Sequence, residues 1–193
     1  MTLSRWIPAA ALMGVLLPLA APAELPRVAP EYTINMDGGK TLLLSQYKGH
    51  AVVLAFILTY CSHCQHTVGL LSQDQDEYGP RGLQVLASAI EDKAQLAVPN
   101  FIRNFHPPFP VGFSAGETAL AFMQHPMVKL PMMPLVSFID RQGNIRAQYE
   151  GDDPFFGDQI EQNLRRQIEE LLQPGPPAKK SMPSVPKKST AAH

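Results

Sequence analysis

Eight consecutive apolar residues, Ala51-Val52-Val53-Leu54-Ala55-Phe56-Ile57-Leu58, constrain this chain more than any other feature. A short apolar run with no polar alternation fits a strand covered on both faces, since a solvated face would call for a polar side chain at every second position. Such a strand needs helices on either side of it, and the residues that follow supply one. Between Ser62 and about Tyr78, the residues Cys64, Val68, Leu71 and Tyr78 fall on one helical face. Gly69 weakens that helix without forbidding it, and Gly79-Pro80-Arg81-Gly82 ends it. The strand-to-helix junction is Tyr60-Cys61-Ser62-His63-Cys64.

The alternation of strand and helix continues. Leu83 to Ile90 reads as a second buried strand. Residues 92–106 look partly helical, with Pro99 marking the start of the regular part as a first-turn proline. Phe109 to Phe113 is a short extended piece, and Ser114-Ala115-Gly116-Glu117 has capping-box spacing ahead of a helix reaching about Gln124. Leu135 to Ile139 and Ile145 to Tyr149 flank the turn cluster Asp140–Asn144 as a hairpin. Asp158 and Glu161 repeat the capping-box spacing before a last helix with Ile160, Leu164, Ile168 and Leu171 on one face. Upstream, Tyr32-Thr33-Ile34 reads as a short strand followed by the turn residues Asp37-Gly38-Gly39-Lys40. The expectation is an α/β fold: a central, mostly parallel sheet with a C-terminal antiparallel hairpin at one edge, flanked by helices.

At 193 residues the chain suits one domain with a substantial core. Three parts are expected. Residues 1–23 read as a signal peptide: Arg5 precedes an apolar run from Ile7 to Leu19, interrupted by Pro8 and Pro18, and Ala21-Pro22-Ala23 offers a cleavage site. An uncleaved anchor is the alternative, although the run is short of the ~20 residues that span a bilayer. Residues 24–173 form the domain. Residues 174–193, rich in Pro, Lys, Ser and Ala, hold too little apolar surface to offset ordering and are expected to be disordered and solvated. Net charge is −1, and residues 24–173 carry 17 acidic against 11 basic side chains, a net of −6, which argues against nucleic acid as a partner.

Export makes a disulfide between Cys61 and Cys64 available. A structural bridge gains most by closing a long loop, and this loop is close to the minimum, so the spacing favours redox chemistry over stapling. Cys61 falls at the helix N-terminus, where free backbone N–H groups and the helix dipole favour a thiolate, the attacking species in exchange. Cys64 lies one turn in and is placed to resolve a mixed disulfide. His63, as a cation, would stabilise the Cys61 thiolate further. An exposed histidine without a partner is the simpler alternative for His63, and a surface position the simpler one for His66.

From about residue 30 to 172 the sequence resembles the thioredoxin-like redoxin family, and within it the extracytoplasmic, membrane-linked thiol–disulfide oxidoreductases. The residues that carry the resemblance are Asp37-Gly38, Leu44-Ser45 with Tyr47-Lys48-Gly49, the buried strand into Cys61–Cys64, Phe109-Pro110-Val111, and Met133-Pro134 leading to Phe138-Ile139-Asp140-Arg141-Gln142-Gly143. The resemblance implies a cis proline at Pro134 facing the cysteine pair, with the Met133 backbone offered to a substrate polypeptide. It also exposes departures. The buried acid common six residues before the first cysteine is replaced by Ala55, the glutamate common three residues after the second by Thr67, and the usual tryptophan before the pair by Tyr60. Water, His63 and Glu91 remain as proton acceptors, and the sequence does not place Glu91.

Two rival functions compete with this reading. A peroxiredoxin-type thiol peroxidase wants a threonine three residues before its reactive cysteine, where Cys61 has Leu58 and Cys64 has Cys61. A copper-binding protein would draw on Cys61, His63, Cys64 and His66, with Met123, Met127, Met132 and Met133 as thioether ligands. A c-type haem attachment site fails because residue 65 is Gln. The oxidoreductase reading needs no cofactor or metal, because the cysteines themselves carry the electrons. Its expected partners are protein thiols and disulfides and, as a candidate, a membrane electron donor, with the chain itself a monomer.

Overall fold

The computed structural model describes residues 24–126 and 128–173. The expected signal peptide and tail lie outside the described residues, as does Met127. One sheet of eight strands runs through the domain in the order β1-β8-β7-β4-β5-β6-β2-β3. The strands are β1 (Arg27–Val28), β2 (Thr33–Asn35), β3 (Thr41–Leu43), β4 (Ala51–Ile57), β5 (Leu83–Ala89), β6 (Val111–Phe113), β7 (Leu135–Ile139) and β8 (Asn144–Glu150). The helices are α1 (Ser62–Tyr78), α2 (Ala94–Phe105), α3 (Gly116–Met123) and α4 (Ile160–Leu172).

The apolar run becomes β4, and all seven of its residues are buried. Its side chains alternate between two apolar layers, as a strand's geometry requires. Ala51, Val53, Ala55 and Ile57 join Cys64, Val68, Leu71, Phe138, Leu164 and Ile168 in a layer beneath α1 and α4. Val52, Leu54 and Phe56 join Tyr32, Phe122, Leu135 and Ile145 in the layer beneath α3. This double covering is what forbids polar alternation in the sequence. α1 closes its layer with the expected face of Cys64, Val68, Leu71 and Tyr78.

The α/β class and the C-terminal hairpin are as expected, and the sheet is mixed. β4 pairs with β5 and β5 with β6 in parallel. The other five pairings are antiparallel. The antiparallel share grows from both ends: β7 enters beside β4 in the opposite direction, and the β2–β3 hairpin extends the sheet beyond β6. The two-residue β1 covers the outer edge of β8.

Three local expectations are overturned. α2 begins at Ala94, so Pro99 sits inside it rather than opening it. The bond that proline removes would have gone to the carbonyl of exposed Gln95, where water replaces it. Ser114 does not cap α3, whose N-cap is Ala115. The Ser114 hydroxyl instead bonds the hydroxyls of Tyr32 and, at 2.9 Å, Ser88 inside the core. Asp158 does not cap α4, which starts after Gln159.

Candidate active site

β4 and β5 are parallel neighbours, so the turns that leave their C-terminal ends lie side by side. Ile90 N–H donates to the Ile57 carbonyl at 3.0 Å and carries the pairing past the strand ends. The chain then turns through Leu58 and Thr59 into α1. Cys61 is the N-cap of α1, in extended conformation (φ −81°, ψ 120°), and its carbonyl accepts from Gln65 N–H at 3.0 Å. Its sulfur therefore sits beside the free first-turn N–H groups of a 17-residue helix, the positive end of its dipole.

The two cysteines are free thiols in unlike surroundings: Cys61 is half-buried and Cys64 fully buried. Leu58 N–H points at Cys64 Sγ across 3.5 Å. Burial in the apolar layer pushes the Cys64 thiol far up. The Leu58 N–H opposes that shift, while Cys61 and the negative charge of Glu91 add to it. One sulfur is reachable and the other is sealed with its proton on.

Met133–Pro134 is a cis peptide. Its place follows from register. β7 pairs antiparallel with β4, with Leu135 opposite Phe56. One step further along each strand sets Pro134 against Ile57 and Met133 beside Leu58, at the turn that leads to Cys61. Gly151 holds the segment from behind: its N–H donates to the Met132 carbonyl at 2.7 Å, and a Cβ at this position would stand 2.3 Å from the Met133 carbonyl oxygen. The loop before it is tied down by Lys129, whose Nζ lies 2.8 Å from Glu150 and 3.1 Å from Asp152.

The structure thus brings Cys61, Cys64, Met133 and Pro134 to one end of the sheet. Tyr60 stands beside them, 72% exposed. His63 is on the same turn with its side chain exposed, and its carbonyl accepts the Thr67 hydroxyl at 2.9 Å. Neither Ala55 nor Thr67, both buried, provides an acid. The acid that reaches this end is Glu91, just past β5: one of its oxygens, Oε1, accepts Thr59 N–H at 3.1 Å and the Thr59 hydroxyl. The sequence did carry a signal for it, an acidic residue directly after a buried parallel strand, at the sheet end where α/β sites assemble.

Among the described residues the copper ligand set is not assembled. The Met123 sulfur accepts from Ser137 and Gln148 in the layer beneath α3, whereas Cys64 belongs to the other layer. Among the described residues no group of three or more His, Cys, Asp or Glu is disposed to hold a metal ion. Among the described residues, one surface cleft lies between residues 28–31, 44–52 and 139–143 and another between residues 35–40 and 95–102, and neither is lined by Cys61 or Cys64.

A thioredoxin-like α/β domain with a Cys-x-x-Cys pair at a helix N-terminus defines a thiol–disulfide oxidoreductase. The chain belongs to the Redoxin family, whose model matches residues 24–162. It is 25% identical over 143 residues to the thiol-disulfide oxidoreductase ResA of Bacillus thuringiensis subsp. konkukian, across 74% of this chain and 78% of that one. With ResA of Bacillus subtilis it shares 28% over 83 residues, 43% of this chain and 46% of that one. Among solved structures, the thiol:disulfide interchange protein assigned as DsbE from Chlorobium tepidum superposes with a TM-score of 0.64 at 26% identity, covering 76% of this chain and 96% of its own.

Proposed function

We propose that the chain is an exported oxidoreductase that exchanges disulfides with partner proteins, with Cys61 attacking and Cys64 resolving. The observation that carries this reading is the asymmetry of the pair: a reachable sulfur at the positive end of α1, and a sealed thiol one turn behind it. Cys61 thiolate attacks a partner disulfide, one partner sulfur leaves as a thiolate, and a mixed disulfide forms. Cys64 then loses its proton and attacks Cys61 Sγ; the bond to the partner breaks, and the partner leaves reduced as the Cys61–Cys64 disulfide closes. The reverse sequence oxidises a partner. Met133 and Pro134 bound the surface on which the partner's backbone lies, with the Met133 main chain offered as a strand edge. Tyr60 adds exposed aromatic surface to that rim, and His63 tunes Cys61 when protonated.

Export rests on residues 1–23; among the described residues no helix is long and apolar enough to cross a membrane. A membrane-linked electron donor is the kind of partner that would keep the pair reduced outside the cytoplasm. The direct test equilibrates the chain against a glutathione series, read by thiol alkylation and mass. A reversible two-electron transition at Cys61 and Cys64 is expected. A midpoint near ~−270 mV assigns a reductant and one near ~−120 mV an oxidant. A pair that stays closed, or stays open, across the whole series defeats the reading.

A further inference from the structure

We propose that Glu91 takes the proton from Cys64 when that thiol resolves the mixed disulfide, a role that rests on the exchange reading above. Cys64 is wholly buried and cannot hand its proton directly to bulk water. The acids found elsewhere in such domains are absent here, because position 55 is Ala and position 67 is a Thr whose hydroxyl is spent on the His63 carbonyl. Glu91 enters the same corner from the neighbouring strand.

Its two oxygens are used unequally. Oε1 takes both Thr59 donors, which fixes the carboxylate in orientation. Oε2 is sealed from solvent and has no hydrogen-bond partner. A buried carboxylate oxygen without a donor is rare and calls for a reason. Consecutive amides of one turn hold the two groups: Leu58 N–H faces Cys64 Sγ and Thr59 N–H faces Glu91. A negative charge on Glu91 adds to the rise that burial imposes on the Cys64 thiol. Tyr60 and His63, the other titratable side chains of this turn besides Cys61, are exposed.

The step conserves buried charge. Before it the corner holds a carboxylate and a thiol; after proton transfer it holds a carboxylic acid and a thiolate, one negative charge either way. The charge moves within the corner and none is added to it, whereas deprotonation by hydroxide would leave a second negative charge beside the carboxylate. The thiolate then attacks Cys61 Sγ, the partner sulfur leaves with the electron pair of the broken bond, and the proton stays on Glu91 until the corner reopens to water.

The experiment follows the reduced chain reacting with dithiobis(nitrobenzoate) in a stopped-flow instrument. The first coloured thiolate is released as Cys61 is captured, and the second as Cys64 closes the disulfide. Glu91→Gln keeps an oxygen to accept both Thr59 bonds, so a structural role survives it and a proton-accepting role does not. At pH 7 the variant is expected to keep its first phase and lose at least ~10-fold in the second, the gap narrowing as pH rises and hydroxide takes over. Glu91→Asp should recover part of the loss. A second phase unchanged in Glu91→Gln, or a gap that does not vary with pH, overturns the role. Should Glu91→Gln lose both phases, the wild-type chain decides. A second-phase rate climbing tenfold per pH unit throughout pH 5–8 overturns the role, and a plateau supports it. A wild-type chain that never releases the second thiolate overturns the exchange reading itself, and this role with it.

Discussion

Two acidic side chains near opposite ends of α1, one buried and one half-buried with a sealed oxygen, keep different company. Asp74, toward the C-terminal end, is 2% exposed and faces the guanidinium of Arg165 on α4, with Nε 3.8 Å from its Oδ1. Arg165 also reaches Glu77 at 2.9 Å on α1 and Glu161 at 3.6 Å on its own helix, so one cation joins α4 to α1 through two carboxylates and is held by a third. Glu91, beside the helix N-terminus, has no Lys, Arg or His within ion-pair distance among the described residues. It has two Thr59 donors on one oxygen and none on the other, at the turn whose preceding amide faces the Cys64 thiol. A buried acid facing a cation ties elements together. An acid held at the thiol's turn, with one sealed oxygen left free, is placed to move a proton.

The largest expected effect tests the structural half of that contrast. Burial raises the Asp74 carboxyl from 3.8 to about 6, with Arg165 pulling it down and Glu77 and Glu161 pushing it up. Because the folded value lies above the unfolded one, the stability tied to this group is full below pH ~4 and is lost as pH rises through 6. A rise of roughly two units corresponds to about 3 kcal/mol. Asp74→Asn abolishes that loss. Measured by urea unfolding from pH 4 to 7, the variant should gain on the wild type by about 3 kcal/mol across the window, with both phases of the dithiol reaction unchanged. A gap that stays flat with pH would mean that Asp74 is not strained by burial, and the contrast would lose one side.

How much of this was legible beforehand follows the range of the forces involved. β4, β5, α1 and the β7–β8 hairpin announce themselves through local periodicity, and α1 runs over Ser62–Tyr78 as the spacing predicts. Cys61, Cys64, Met133 and Pro134 were readable because strand-to-helix placement and the family pattern fix them. The misreadings came from local signals, and in one case a distant partner overrode the signal. Ser114 has capping-box spacing, but Tyr32, 82 residues away, claims its hydroxyl. Pro99 tolerates a helix interior because the carbonyl it strands belongs to an exposed residue. Glu91 was one of the candidate proton acceptors but had no place in the fold, and only the pairing of β5 with β4 carries it to Thr59. The mixed sheet was hidden for the same reason, since β2 and β3 are three residues each and gain their place by pairing across the sheet.

At the thiol end, the smaller test concerns the one basic side chain of the motif. His63 is exposed, unlike Arg165, which is clamped among three carboxylates, so its field on Cys61 is weakened by water and salt. Protonated, it favours the Cys61 thiolate, which stabilises the reduced pair and makes the disulfide more oxidising. His63→Asn should therefore lower the reduction potential by no more than about 30 mV, a tenfold change in the exchange constant. The shift should be largest at low salt and fade as salt is added. A shift well beyond that, or one indifferent to salt, would show that the thiol end has a fixed cation after all and that its contrast with Asp74 is misdrawn.

The smallest effect asks whether Arg165 serves Asp74 or its outer partners. Glu161 pairs with Arg165 across one turn of α4 and is mostly exposed, with 59% of its side-chain surface in water. Such pairs contribute about 0.3–0.5 kcal/mol. Glu161 also repels the Asp74 carboxylate and helps to raise it. Glu161→Gln removes both effects, which have opposite signs, so stability at pH 7 should change by less than about 0.5 kcal/mol. The pH dependence should change more clearly. With one repulsion gone and Arg165 freer to turn inward, Asp74 titrates lower, and the loss of stability that begins above pH ~4 ends earlier and is shallower. A drop of more than about 1 kcal/mol at pH 7 would instead show that Glu161 holds the guanidinium against α1. Asp74 would then owe its partner to the surface network, and the tie between the two helices would run through the outer carboxylates rather than the buried one.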